Sequence, residues 1–238
     1  MKLKVMSYNV LHFEDDRTGK PAAAAYAEVI RRSGADIVGI NESYDETRTS
    51  FYGPQAKTVA ELLGWHWYFA EAIVLNEEGP YGNSILSRYP LKEMRSVLVP
   101  DPAPRKYDGY YETRCVLCCT ADVDGTPVSL AVTHFGLNPD EQENAVRTVL
   151  EETKAERFIL MGDLNVKPEA PVLLPLRARL TDTAEALGAL QTSFPAAAPD
   201  RRIDYIFVSK DIRVLGADIP AVILSDHRPY TAELEIGG

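Results

Sequence analysis

The sequence is short of several features that would settle its class early. No stretch approaches the ~20 apolar residues that a membrane-crossing helix needs. The longest apolar runs, such as Val172-Leu173-Leu174 and Ala221-Val222-Ile223-Leu224, are cut by proline or serine. No stable membrane insertion is expected. The start, Met1-Lys2-Leu3-Lys4-Val5-Met6, lacks a continuous apolar stretch and a small-residue cleavage site, so it does not read as an export signal. Positive charge is also in deficit. The chain has 25 Lys and Arg against 35 Asp and Glu, a net charge of −10. A protein held to nucleic acid mainly by its own charge is usually basic, so the composition argues against a non-specific duplex binder. It leaves room for a metal hydrolase, where carboxylates gather around cations that supply the charge a phosphate needs.

Cysteine is scarce too, and Cys115, Cys118 and Cys119 sit in one short segment. Adjacent cysteines rarely pair, and an odd count leaves at least one free. The cluster also lacks the second ligand pair of a zinc site. The expectation is reduced core thiols on a strand, and with them a cytoplasmic location. There is no internal repeat, no low-complexity linker, and no Gly-x-Gly-x-x-Gly after the first strand, which excludes a dinucleotide fold.

What remains is a chain of 238 residues, 45% of them hydrophobic, enough to bury a sizeable core. One domain over residues 1–238 is expected, as a monomer. Lys2–Asn9 alternates and reads as a strand. A helix is predicted from Pro21 to Arg32, with Gly34 just past its end, then a buried strand at Asp36–Asn41 and a helix at Gln55–Leu63. Strands are predicted near Tyr68–Ala72, Gly82–Ser87, Met94–Val99, Glu112–Val123 and Pro127–Thr133. The clearest helix is Pro139–Thr153, with Asn138 as its N-cap and acidic residues in its first turn. Arg157–Met161 follows as a strand, then short helices within 170–178 and 182–187. Strands at Arg202–Val208, Arg213–Ala217 and Tyr230–Ile236 close the chain. The prolines at 100–104 and between 168 and 199 suggest long loops. The mixture points to sheets covered by helices on their outer faces.

Polar residues recur at the ends of these strands: Asn9, Asn41-Glu42, Thr133-His134, Asp163 with Asn165, and Asp226-His227. Strand ends gathered on one side can present many side chains to one cleft on rigid supports. Each also has a plainer reading. Asn9 can cap or turn the chain, Glu42 can be a solvated loop acid, and Gly162-Asp163-Leu164-Asn165 and Ser225-Asp226-His227 can be simple turns or caps. Asp204 is harder to dismiss, because it lies among Ile203, Tyr205, Ile206 and Phe207, and a buried charge must find a partner. A histidine is a natural one. The chain has only four: His12 and His66 are expected to be structural or solvent-facing, while His134 and His227 sit beside polar strand ends and suit acid–base work.

The set resembles the endonuclease/exonuclease/phosphatase superfamily. The resemblance rests on Ser7-Tyr8-Asn9-Val10, Asn41-Glu42, Tyr81-Gly82-Asn83-Ser84-Ile85-Leu86-Ser87-Arg88, Thr133-His134-Phe135-Gly136-Leu137, Gly162-Asp163-Leu164-Asn165, Arg202-Ile203-Asp204-Tyr205-Ile206 and Ser225-Asp226-His227-Arg228-Pro229. Each segment is weak alone, but they occur in the family's order over nearly the whole chain. The resemblance implies a deoxyribonuclease-I-like α+β fold: a four-layer α/β/β/α sandwich of two mixed, mostly antiparallel sheets. It also implies a cleft at the top of the sandwich that binds Mg²⁺ or Mn²⁺ and a phosphate-ester substrate.

By motif, Glu42 matches the main metal ligand, Asn9 supports the metal site, and Asp226 also meets the metal. Asp163 and Asn165 match the residues that bind or orient the attacking water and the phosphate. His227 matches the base or phosphate contact, with Asp204 holding it, and His134 matches a second phosphate-contacting or leaving-group histidine. Tyr81, Asn83 and Arg114 mark segments expected to meet substrate. The chemistry is coherent: phosphoester hydrolysis needs an oriented water and charge relief on the non-bridging oxygens, and Mg²⁺ takes oxygen ligands such as these. The substrate stays open between a nucleic acid and a small or lipid-borne phosphate, with a catalytically silent binding protein as the third reading. The loops Arg17–Pro21, Asp45–Pro54, Pro100–Tyr111 and Phe194–Arg201 are the expected selectors. In the third of these, Arg105 and Lys106 interleave with Tyr107, Tyr110 and Tyr111, a pattern suited either to stacking on bases or to a solvated loop.

Overall fold

Alternating apolar residues along the strands sort themselves onto the two faces of two sheets. In the computed structural model, which describes residues 1–46, 53–75, 79–154, 156–188 and 191–237, β1 (Lys2–Asn9) sends Leu3 and Val5 to one side and Met6 and Tyr8 to the other. The first sheet runs β13-β14-β1-β4-β6-β5, with β4 at Ile37–Tyr44, β5 at His66–Leu75, β6 at Gly79–Ser87, β13 at Ile212–Asp218 and β14 at Tyr230–Ile236. The second runs β11-β12-β10-β9-β8-β7, with β7 at Leu91–Leu98, β8 at Cys115–Val123, β9 at Thr126–His134, β10 at Phe158–Asp163, β11 at Leu180–Asp182 and β12 at Asp204–Ser209. β1 pairs parallel with β4, and β10 parallel with β9; the other pairings in the two sheets are antiparallel.

The inner faces share one core. Val5, Ile37 and Ile85 of the first sheet meet Leu117, Val132, Ile159 and Met161 of the second. The sheets approach closely at Gly39, where an added Cβ would lie 2.9 Å from Met161 Cβ. Outside the first sheet, α1 (Ala23–Ser33) and α2 (Gln55–Leu63) bury Tyr26, Ile30 and Val59 against Met6, Tyr8 and Val38. Outside the second, α3 (Pro139–Glu152) buries Ala145, Val146 and Val149 against Phe158, Leu160 and Val116. The result is the expected α/β/β/α sandwich.

The chain departs from the sequence expectations at several boundaries. Pro21 does not open α1. It lies in the two-residue strand β3 (Lys20–Pro21), which pairs with β2 (Glu14–Asp15), and α1 starts at Ala23. β8 starts at Cys115, leaving residues 112–114 irregular, and β12 starts at Asp204. In the proline-rich stretch after 168 the two expected short helices form, α4 (Leu174–Arg179) and α5 (Thr183–Ala186), but the strand β11 between them was not expected. The cysteines are free, buried in β8, and alternate between the inner and outer cores as the strand requires.

Candidate active site

One end of the sandwich collects the polar strand ends. β1 delivers Asn9, β4 delivers Asn41 and Glu42, β9 ends on His134, β10 ends on Asp163, and β12 begins at Asp204. The parallel pairings set Asn9 beside Asn41 and His134 beside Asp163, and the antiparallel pairing sets Asp204 beside Asp163. Gly162 makes the close approach possible: a Cβ there would sit 1.9 Å from Thr133 O. Glu42 is aimed by a bulge. The β4–β6 register slips between Ile40 and Ser43, and Glu42 takes a φ of 61°, a conformation non-glycine residues seldom hold without cause.

Amides tie the two sheets together beneath the cleft. Asn41 Oδ1 accepts from Asp163 N (2.9 Å), while its Nδ2 donates to Thr133 O (3.0 Å) and Asn83 Oδ1 (2.8 Å). Asn9 Nδ2 donates to Glu42 Oε1 (2.9 Å) and to Asp163 Oδ2 (3.2 Å), and Asn9 Oδ1 accepts from Leu11 N. Asn9 therefore meets Glu42 and Asp163 with its nitrogen and holds the two carboxylates together.

His227 and His134 face opposite partners. His227 Nδ1 lies 2.9 Å from Asp204 Oδ2, and its Nε2 lies 3.5 Å from Asp163 Oδ2. Burial alone would lower its pKa, but Asp204 and Asp163 outweigh it and push it up to about 10, so His227 is an imidazolium with protons on both nitrogens. His134 Nδ1 faces a donor instead, Arg114 Nη1 at 3.0 Å, while Asn165 Nδ2, which donates to Phe135 O, lies 3.0 Å from its Nε2. Burial, then the charges of Arg114 and His227, hold its pKa well below the usual histidine value. A guanidinium cannot accept a hydrogen bond, so Nδ1 is the acceptor and the single proton rests on Nε2, facing Asp163 Oδ2 at 3.5 Å. Asp163 itself is pushed up to about 7, first by burial and partly offset by His227. Its Oδ1 accepts from Asn165 N at 2.9 Å.

The cleft above these groups has a volume of about 540 Å³ and is lined by Glu42, Tyr110, Arg114, His134, Leu137, Asp163, Asn165, Lys167, Phe194, Arg201, Ile203, Asp226 and His227. Most of the expected residues therefore meet in one place. Tyr81 and Asn83 do not. Asn83 is 2% exposed, with its amide used by Asn41 and Cys115 O, and Tyr81 is buried against His12 and Tyr44. Both support the floor rather than line the cleft. His12, packed against Tyr44 and Tyr81, and exposed His66 on β5 lie outside the cleft, as expected.

Three contributors escaped the sequence reading. Asn41 was visible only as a neighbour of Glu42. Glu112 holds Arg114 at 2.7 Å, and its spacing of two residues from Arg114 was the available signal. Phe194, with its ring 4.6 Å from that of His227, was marked only as the first residue of a substrate-selecting loop.

Three side chains, Asp163, Asp204 and His227, have potential ligand atoms within 4.8 Å of one another. In that triple His227 Nδ1 is paired with Asp204 Oδ2 at 2.9 Å. Glu42 and Asp226 offer carboxylate oxygen to the same cleft, the kind of ligand a hard divalent cation takes, and Asn9 holds Glu42 beside Asp163.

Comparison with known proteins agrees with this geometry. Residues 6–227 match the Endonuclease/Exonuclease/phosphatase family. The chain is 29% identical over 172 residues to YbhP of Escherichia coli (strain K12), a match that covers 67% of this chain and 64% of that protein, so it spans less than two thirds of that relative's length. A solved endonuclease/exonuclease/phosphatase from Beutenbergia cavernae superposes with a TM-score of 0.79 at 27% identity, covering 100% of this chain and 72% of that one. The mannosyl-6-phosphatase Bt3783 of Bacteroides thetaiotaomicron shares the fold with a TM-score of 0.79 at 20% identity, covering 98% of this chain and 100% of its own.

Proposed function

Because the chain belongs to the endonuclease/exonuclease/phosphatase family, we propose that it is a divalent-metal-dependent hydrolase of phosphoester bonds. The observation that carries this reading is the Asp204–His227–Asp163 chain, in which a charged imidazole and a raised carboxyl share one face of the cleft. A binding module has no need of such an arrangement, which disfavours the silent-protein alternative.

In this reading Asp163 orients the attacking water and takes its proton, because a carboxyl poised near pH 7 is suited to general-base work. His227 stays charged and neutralises phosphate, with Asp204 fixing its ring as in a catalytic triad. His134 donates from Nε2 to a phosphate oxygen. Its low pKa makes it a poor acid for the leaving group, which narrows its expected role. Asn165 stands beside it with one amide hydrogen committed to Phe135 O. Arg114 fixes His134. Glu42 and Asp226 would hold Mg²⁺ or Mn²⁺, which when bound would supply charge relief on the phosphate oxygens.

The test is one panel of DNA, RNA, bis-nitrophenyl phosphate, inositol phosphates, mannose 6-phosphate and sphingomyelin, each with Mg²⁺ and with EDTA. Hydrolysis of at least one substrate with Mg²⁺, and none with EDTA, is expected. Asp163→Ala and His227→Ala are expected to abolish turnover while keeping the far-UV spectrum. Cleavage that persists in EDTA, or near-wild-type turnover by either variant, would overturn the mechanism. Nuclease activity is the alternative outcome, and the net charge of −10 weighs slightly against it.

A further inference from the structure

Tyr110 and Leu137 are 61% and 57% exposed, yet both line the same cleft as Asp163 and His227. A tyrosine this exposed on a loop usually turns freely, but Tyr110 is anchored. Its carbonyl accepts from Asn138 Nδ2 (2.8 Å), and its hydroxyl donates to Glu112 Oε2 (3.2 Å). Gly109, just before it, runs so close to α3 that a Cβ would lie 2.1 Å from Asn138 Oδ1. The neighbouring backbone is held as well. Lys106 N donates to Asp140 Oδ2 (3.1 Å), Tyr111 Oη to both Asp140 oxygens (3.0 Å each), and Glu112 N to Glu141 Oε1 (3.2 Å). The loop is thus fastened to the first turn of α3, and Leu137 immediately precedes that helix's cap. The two apolar side chains share one rigid support.

We propose that Tyr110 and Leu137 form a preformed seat for a flat ring, aryl or nucleobase, on the organic part of the substrate. The inference rests on the phosphoester-hydrolase reading and names a class of substrate for it. A ring suits the seat because two fixed side chains give it a face to lie on without an ordering cost at the moment of binding. A long acyl chain does not suit it. The adjoining loop positions Arg105, Lys106 and Asp108 are charged and exposed, a poor bed for a long apolar tail. Arg105 does not reach for substrate, since its guanidinium lies 4.7 Å over the Tyr111 ring. The phosphate-reading residues and the seat are joined by a continuous chain of contacts, from Tyr110 through Glu112 and Arg114 to His134.

Phenylphosphonate and methylphosphonate test this, because their carbon–phosphorus bonds resist ester hydrolysis. Calorimetric titration into the full chain with Mg²⁺ is expected to show phenylphosphonate binding about tenfold more tightly, a typical effect for stacking on an aromatic side chain. Tyr110→Ala should bring the two within about twofold, whereas Tyr110→Phe, which keeps the ring, should preserve the preference. Turnover of AMP against ribose 5-phosphate then separates a nucleobase from a simple aryl ring with the reacting alcohol unchanged. Equal affinities in the wild type overturn the seat, as does a preference that survives both Tyr110→Ala and Leu137→Ala. A ring preference without hydrolysis of any phosphoester defeats the reaction and leaves the seat standing. Hydrolysis without a ring preference does the reverse.

Discussion

His134 faces a guanidinium at Nδ1, whereas His227 meets carboxylates at both ring nitrogens, and this contrast sets their charges. At pH 7.5 the ¹⁵N spectrum of the metal-free protein is expected to show an imidazolium for His227 and a neutral ring protonated on Nε2 for His134. A neutral His227 would contradict the assignment. The same shift makes a stability prediction. Between pH 6.5 and 10 the folded chain keeps a proton on His227 that the unfolded chain has released. The stabilisation is therefore complete below 6.5 and lost as pH rises toward 10. Urea titrations across this window should show stability falling with pH, and Asp204→Asn should flatten the slope. Most of these groups were legible in the sequence, because a carboxylate inside Ile203-Asp204-Tyr205-Ile206 and a histidine in Ser225-Asp226-His227 stand out against apolar neighbours. The tautomer of His134 was not. It depends on Arg114, which reaches across from an irregular segment 20 residues earlier in the chain.

At the scale of elements, the site depends on strands that end at the right residue. Gly162 is the tightest point: with Thr133 O 1.9 Å from where a Cβ would go, Gly162→Ala must push β10 away from β9. A loss of about 1–3 kcal/mol is expected in urea unfolding, with a larger relative loss of turnover, since His134 and Asp163 lie on those two strands. A variant as stable and active as wild type would show that the strands have slack. Long alternating segments were readable in advance: β1, α2 and β14 begin and end where the periodicity places them. The short hairpin of β2 and β3 and the three-residue β11 were missed, because two or three residues cannot display a period. The expected helix start at Pro21 failed for a related reason. Proline suits both a first helical turn and an edge strand, and pairing with Glu14 decided the matter. In the loop expected at Asp45–Pro54, residues 47–52 lie outside those described.

For the molecule as a whole, a cation at Glu42 and Asp226 would bind only the folded chain. Mg²⁺ should then raise the melting temperature with concentration, by about 2.7 kcal/mol of stability at one hundred times its Kd. Glu42→Gln should shift that titration to higher Mg²⁺, and an unchanged curve would remove Glu42 from the ligand set. The polar groups that frame the cleft come from both sheets. Asn9 and Glu42 belong to the first and Asp163 to the second, joined through Asn9 Nδ2 and through Asn41 to Asp163 N. Neither half of the sandwich carries a complete cleft, so the proposed turnover would be a gauge of how the two sheets are aligned. A slip of one sheet over the other by a fraction of a residue would silence the protein while leaving its secondary structure and most of its buried surface intact. Heat, pressure or mild denaturant should therefore extinguish activity before circular dichroism registers a change.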